Sequence, residues 1–113
     1  MAKKYLQPLS NIIQEAVARR SDEVQPICKH FFSGATVSVN RNTCISFSPA
    51  GFAIKLGKKD RDKLLAHHDA RPLRYFENSP VKREYVVLPD PWLDDKETLH
   101  HWINASIDFV ISE

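Results

Sequence analysis

The sequence lacks the features that mark secreted, membrane-spanning and zinc-binding proteins. It contains only 2 cysteines, Cys28 and Cys44, and these are too far apart for the C-x-x-C spacing of a zinc site. No apolar run is long enough to span a bilayer. The basic N-terminus is not followed by the apolar segment of a secretory signal. We therefore expect a cytoplasmic protein with two free thiols and no membrane segment.

Internal repeats, low-complexity tracts and long linkers are also missing, so residues 1–113 are expected to form one domain. Hydrophobic residues make up 42% of the chain and charged residues 27%, as in ordinary globular proteins. The charge is unevenly distributed. Residues 1–63 carry 11 Lys and Arg against 5 Asp and Glu, whereas residues 64–113 carry 5 against 9. Such an asymmetric field can steer a charged partner.

The periodicity of the apolar residues predicts a two-layer α+β fold, in which helices cover one face of an antiparallel sheet. The predicted order is α-β-β-β-α-β-β-α. Residues 5–17 and 94–111 have the three- and four-residue spacing of amphipathic helices, and a short helix is expected at 60–67. Residues 35–40, 43–48 and 52–56 alternate as three strands, with Cys44 on the side away from the helices. Residues 71–76 and 83–89 complete the sheet as a hairpin.

Several stretches occur together in a recognisable order: Phe31-Phe32-Ser33-Gly34-Ala35, Gly51-Phe52-Ala53-Ile54-Lys55-Leu56, Lys82-Arg83-Glu84-Tyr85-Val86-Val87-Leu88-Pro89, and Trp102 in the last helix. In these stretches the chain resembles the N-terminal domain of the TfoX family. The members of this family are bacterial regulators of DNA uptake competence. The resemblance implies a two-layer α+β fold and a small regulatory or protein-interaction module with no known cofactor.

The chain departs from this family in two places. The family usually has Met-Phe-Gly-Gly where this chain has Phe31-Phe32-Ser33-Gly34. Full-length competence regulators also carry a second, C-terminal domain, whereas this chain ends at Glu113, directly after the last predicted helix. We therefore expect a stand-alone domain. Because the motifs that carry the resemblance are structural rather than catalytic, we also expect no catalytic activity of its own.

The densest basic cluster in the sequence is Lys55, Lys58, Lys59, Arg61 and Lys63. Cations of this kind contact phosphates without reading the base sequence. A weak, non-specific nucleic-acid-binding module that uses these residues is therefore the alternative function. A third interpretation is a solvated helix face, in which the cations pair with the intervening Asp60 and Asp62.

The last predicted strand has apolar or aromatic side chains on both faces, which predicts an interface. Tyr85 and Val87 lie on one face, and Val86 and Leu88 lie on the other. We expect an exposed patch formed by Phe76, Val86, Leu88 and Trp92 to bind a protein partner, most simply a second copy in a homodimer. The alternative is that Trp92 and its loop cover Val86 and Leu88 within one chain.

The histidines and cysteines do not form a recognisable site. The pairs His67-His68 and His100-His101 are adjacent, and neighbouring side chains on a helix point about 100° apart, so they rarely share a metal ion. Cys28 and His30 would be neighbours on an extended segment, but no third group that would orient them is apparent. We therefore expect no metal ion, no cofactor and no catalytic residue.

Overall fold

The structure is a computed structural model that describes residues 3–20, 23–31, 34–67, 69–74 and 80–112. In these residues the chain forms three α-helices and six β-strands. The helices are α1 (Lys3–Ala16), α2 (Lys58–Leu65) and α3 (Lys96–Ser112). The strands are β1 (Ile27–Phe31), β2 (Gly34–Val39), β3 (Asn42–Ser48), β4 (Gly51–Lys55), β5 (Arg71–Leu73) and β6 (Lys82–Val87). None of the described helices has both the length and the apolar character needed to cross a bilayer.

The strands join one antiparallel sheet in the order β1-β2-β3-β4-β6-β5. The predicted fold class, an antiparallel sheet with helices on one face, is confirmed. The structure adds one strand, β1, before the three predicted ones. No alternation marks β1 in the sequence because it lies at the edge of the sheet, where only Cys28 among its five residues is partly buried.

Helix α3 supplies the centre of the core. Its buried apolar side chains are Leu99, Ile103, Ile107 and Val110. They form one buried cluster with apolar side chains of α1, α2, β2, β3, β4 and β6. Asp95 fixes the start of α3, because its Oδ1 accepts a hydrogen bond from the backbone N–H of Thr98 at 3.2 Å and its Oδ2 accepts one from the Thr98 hydroxyl at 2.8 Å.

A bulge in β3 changes the orientation of Cys44. Val37 pairs with Ile45, but the next residue, Ser38, pairs with Thr43, so Cys44 is an extra residue in β3. Its side chain is fully buried in the core beneath the helices, where Sγ donates to the carbonyl oxygen of Val37 at 3.5 Å. The prediction that Cys44 points away from the helices is wrong because alternation does not continue through a bulge.

Two tight turns connect β2, β3 and β4. Asn40 and Arg41 both have positive φ, 52° and 69°, as a type I′ hairpin turn requires. Gly51 begins β4 with a φ of 120°, and a Cβ atom built there would lie 2.6 Å from Cγ1 of Val87. Glycine is required at position 51 because both the backbone conformation and the space exclude a side chain.

Candidate interaction surface

Cations from three elements meet at one end of the sheet, where β4 ends, α2 begins and β6 begins. Two hydrogen bonds hold these elements together. Nη1 of Arg61 on α2 donates to the carbonyl oxygen of Arg83 at 2.7 Å, and the backbone N–H of Leu56 donates to the carbonyl oxygen of Glu84 at 3.0 Å. We call the resulting surface the basic corner; it consists of Lys55, Lys58, Lys59, Arg61, Lys63, Lys82 and Arg83.

The five cations predicted from the sequence do not share one face. Lys55 is largely buried, with its side chain 16% exposed, and its Nζ lies 3.2 Å from Oε2 of Glu84. Arg61 turns from α2 toward β6. Lys58 Nζ lies 2.6 Å from Oδ2 of Asp62 in the next turn of α2. Lys59 and Lys63 are exposed, and their four-residue spacing places them on the same side of α2.

Lys82 and Arg83 belong to the same surface, although they were missing from the cluster that the sequence predicted. Both are exposed at the start of β6. They reach the basic corner because β6 pairs with β4, with Tyr85 opposite Lys55. The sequence does show these two adjacent cations directly before an apolar strand, which is a signal of a local positive charge. Their location, however, depends on a strand order that places β6 rather than β5 beside β4.

The basic corner is positive but not uniformly so. Its seven cations occur together with three carboxylates, those of Asp60, Asp62 and Glu84, which leaves a net charge of +4. A cavity of about 360 Å³ opens there and is lined by Lys55, Val81, Lys82, Arg83, Glu84 and Tyr85. The surface therefore combines exposed cations with a concave site in which one carboxylate accompanies three cations.

Val86 and Leu88 do not face a partner. Both are fully buried in the core cluster that the sheet shares with the helices. Val86 pairs with Ile54, which is also in the core, and the side chains of directly paired residues lie on the same face of a sheet. Their assignment to an exposed interface is therefore wrong. The face of β6 away from the helices carries Tyr85 and Val87 instead, and Val87 is buried in a small cluster on that side.

The other two residues of the predicted interface have different surroundings. Trp92 is half-buried and packs against the main core, with its ring centroid 5.1 Å from that of His67 in an edge-to-face arrangement. This position agrees with the alternative in which the Trp92 loop packs within one chain. Phe76 lies outside the described residues. Self-association of the protein stays a prediction.

Among the described residues, no group of three or more His, Cys, Asp or Glu side chains is placed to hold a metal ion. His100 instead has Nε2 at 3.9 Å from Oε2 of Glu15, and His101 contacts the ring of Trp102 edge-on. His68 lies outside the described part of the chain.

The thiols are protonated in the folded protein at neutral pH. Burial raises the pKa of Cys44 to about 12 and also raises the pKa of the half-buried Cys28. Because the thiolate is the nucleophilic form of cysteine, burial suppresses the reactivity of both side chains.

A family model described as the TfoX N-terminal domain matches residues 22–110 of the chain. No curated protein and no solved structure matches it. The matched residues include the whole sheet, α2 and nearly all of α3, and so they contain every residue of the basic corner.

Proposed function

Because the chain belongs to the TfoX N-terminal domain family, we propose that it is a non-catalytic regulatory module that acts by binding another protein. The observation that carries this proposal is the basic corner, where α2 and β6 together present Lys59, Lys63, Lys82 and Arg83 as exposed side chains. A concentration of cations on one surface attracts an oppositely charged partner and accelerates its association. The partner is therefore expected to present an acidic surface.

The carboxylates within the basic corner favour a protein over a nucleic acid. Asp62 and Glu84 lie in ion pairs with Lys58 and Lys55. A nucleic-acid backbone is a row of negative charges, and these carboxylates weaken its attraction to the basic corner because they neutralise two of the cations. A protein surface, in contrast, can present cations of its own opposite them. Mixed charge of this kind also fixes the register of a complex and excludes wrong partners.

The experiment uses the wild-type protein to capture partners from extracts of the native host, with and without nuclease. Each captured protein is then purified, and its binding to the wild-type protein and to the variants is measured. The variant Lys59→Glu/Lys63→Glu/Arg83→Glu reverses three exposed charges of the basic corner. We expect it to lose a partner that wild-type protein captures in the presence of nuclease. The matched control Lys4→Glu/Arg19→Glu/Lys96→Glu reverses three cations elsewhere and should retain that partner. Equal capture by both variants would contradict the proposal.

A weak, non-specific nucleic-acid-binding module is the second candidate, because the same exposed cations suit phosphate groups. Binding of this kind weakens steeply as the salt concentration rises, since it depends on counterion release. It should be about equal for unrelated sequences, because phosphate contacts carry no base information. If labelled double-stranded and single-stranded nucleic acids show no binding to the protein at micromolar concentration and low salt, this candidate function is rejected. Capture that disappears after nuclease treatment would favour it.

The proposal includes a cytoplasmic location and a reducing environment. Cys28 and Cys44 are both free, and burial of Cys44 in the core is compatible with a thiol that is never paired. The predicted homodimer is tested in the same preparations by light scattering during size exclusion. Because Val86 and Leu88 are buried, any dimer must use another surface.

A further inference from the structure

The two edges of the sheet differ in how well they are protected. Among the described strands, β1 forms one edge of the sheet and pairs with β2 alone. In an antiparallel ladder, alternate residues of such a strand direct their N–H and C=O groups away from the sheet, where another strand can bind. The opposite edge, β5, has three residues and includes Pro72, which has no N–H to donate. β1 has five residues and contains neither proline nor glycine.

The exposed apolar side chains also concentrate on β1. Four large hydrophobic side chains of the described residues are exposed, and two of them, Ile27 at 54% and Phe31 at 39%, are on this strand. Ile27, Lys29 and Phe31 alternate with Cys28, which packs against the core, so they lie on the face opposite the helices. β1 therefore presents a row of apolar, cationic and apolar side chains at the outer edge of the described sheet.

The charge of Lys29 argues against a second copy as the occupant of this edge. Antiparallel pairing of two β1 strands along their whole length would be centred on residue 29. Ile27 would then lie opposite Phe31, but Lys29 would lie opposite its own copy, and like charges directly opposite each other are destabilising. The same position is favourable for a strand that carries a carboxylate there.

We propose that β1 accepts an extended segment of a partner protein as an additional antiparallel strand, and that the segment has the pattern apolar-x-acidic-x-apolar. Main-chain hydrogen bonds to the outer edge of β1 supply affinity, as in other cases of strand addition. The acidic residue lies opposite Lys29, and the apolar residues cover Ile27 and Phe31. At its Phe31 end, β1 lines a cavity together with Lys82 of the basic corner. The proposal uses the outer edge of β1 and Lys29, which is not part of that corner, so it does not depend on the function proposed there.

The test is an NMR titration of isotope-labelled protein with the capped peptide Thr-Val-Thr-Glu-Thr-Val-Thr, and with a second peptide in which Lys replaces Glu. We expect the first peptide to shift the amide signals of β1 at concentrations up to about 1 mM and the second to bind roughly tenfold more weakly. The variant Lys29→Glu should reverse this preference. The control Arg19→Glu makes the same change of charge at an exposed position outside the sheet, and it should leave the preference for the Glu-containing peptide unchanged.

A second measurement distinguishes strand addition from charge attraction alone. In the added strand, the N–H groups of alternate peptide residues point toward β1, and those of the other residues point away from it. Methylating the backbone nitrogens of the first set removes the hydrogen bonds to β1 and should abolish binding. Methylating the second set should leave binding intact. The proposal is overturned if neither peptide shifts the signals of β1, if both bind equally, or if the two methylated peptides bind alike. It is also overturned if the protein alone forms a dimer that Phe31→Asp dissociates, because the edge would then belong to a second copy.

Discussion

Nη2 of Arg20 lies 2.7 Å from Oδ1 of Asp108, which joins the segment after α1 to α3 across 88 positions of sequence. The same guanidinium donates from Nη1 to Oδ1 of Asn104 and from Nε to Oε1 of Glu23, each at 3.0 Å. Asn104 in turn donates from Nδ2 to the carbonyl oxygen of Ala16 at 2.9 Å, at the end of α1. Arg20 and Asn104 together fix the end of α1 against α3.

We expect Arg20→Met to lower the free energy of unfolding by about 1–2 kcal/mol, measured by urea denaturation. Methionine keeps much of the aliphatic length of arginine but removes all three charge-assisted or polar contacts. Asp108 is 65% exposed, so Asp108→Asn should cost less, about 0.5 kcal/mol. The control is Arg19→Met at the exposed neighbouring position, which should change stability by less than about 0.5 kcal/mol. Equal stability of Arg20→Met and Arg19→Met would contradict this role.

A second prediction concerns Gly51, where φ is 120° and a Cβ atom would lie 2.6 Å from Cγ1 of Val87. Gly51→Ala should lower the free energy of unfolding by about 1–3 kcal/mol, because it adds backbone strain and a clash beneath a buried side chain. The matched control is Gly57→Ala, where φ is −70° and the added atom would approach only the ring of Phe109 at 3.2 Å. Thermal denaturation that ranks Gly57→Ala as the more damaging change would contradict the assignment.

The parts of this fold that could be predicted from the sequence are those set by local periodicity. The helix stripe around Ile103 and Ile107 and the alternation around Ile54 identified both layers correctly. Features that depend on pairing between strands could not be predicted in this way. The bulge at Cys44 reverses one side chain without any change in composition. The buried position of Val86 follows from its pairing with Ile54, which alternation along one strand does not reveal.

The same limit applies to the basic corner. Five of its cations are close together in the sequence and were identified there. Lys82 and Arg83 join them only because β6 inserts between β4 and β5 in the sheet. The ion pair between Lys55 and Glu84 also depends on this strand order, and it leaves only 16% of the Lys55 side chain exposed. The sequence therefore predicts the concentration of charge but not its distribution over the folded surface.

A third prediction follows from the raised pKa of Cys44, about 12 in the folded protein against an ordinary value of 9.0. Above pH 9 the unfolded chain releases this proton while the folded chain keeps it, so rising pH favours the unfolded state. Wild-type protein should lose about 1.4 kcal/mol of stability per pH unit relative to Cys44→Ala between pH 9 and pH 12. Below pH 9 the difference between the two proteins should be constant.

This dependence is measured from urea denaturation of both proteins at several pH values on either side of pH 9. Cys28 is less deeply buried, and Cys28→Ala therefore serves as the comparison, with a smaller loss over the same range. A stability difference between wild-type protein and Cys44→Ala that does not change across this range would show that the Cys44 thiol is not protected by burial.

The last prediction tests the face of β6 on which Val86 lies. Val86→Lys places an amine at a fully buried position in the core, where the charged form is strongly disfavoured and the longer side chain has no room. We expect it to lower the free energy of unfolding by more than about 3 kcal/mol and to abolish the cooperative thermal transition. Ile111→Lys on α3, at an apolar side chain that is 40% exposed, should change stability by less than about 1 kcal/mol. If Val86→Lys instead kept a wild-type far-UV spectrum and thermal midpoint, Val86 would have to face solvent or a partner, and the packing of β6 described above would be wrong.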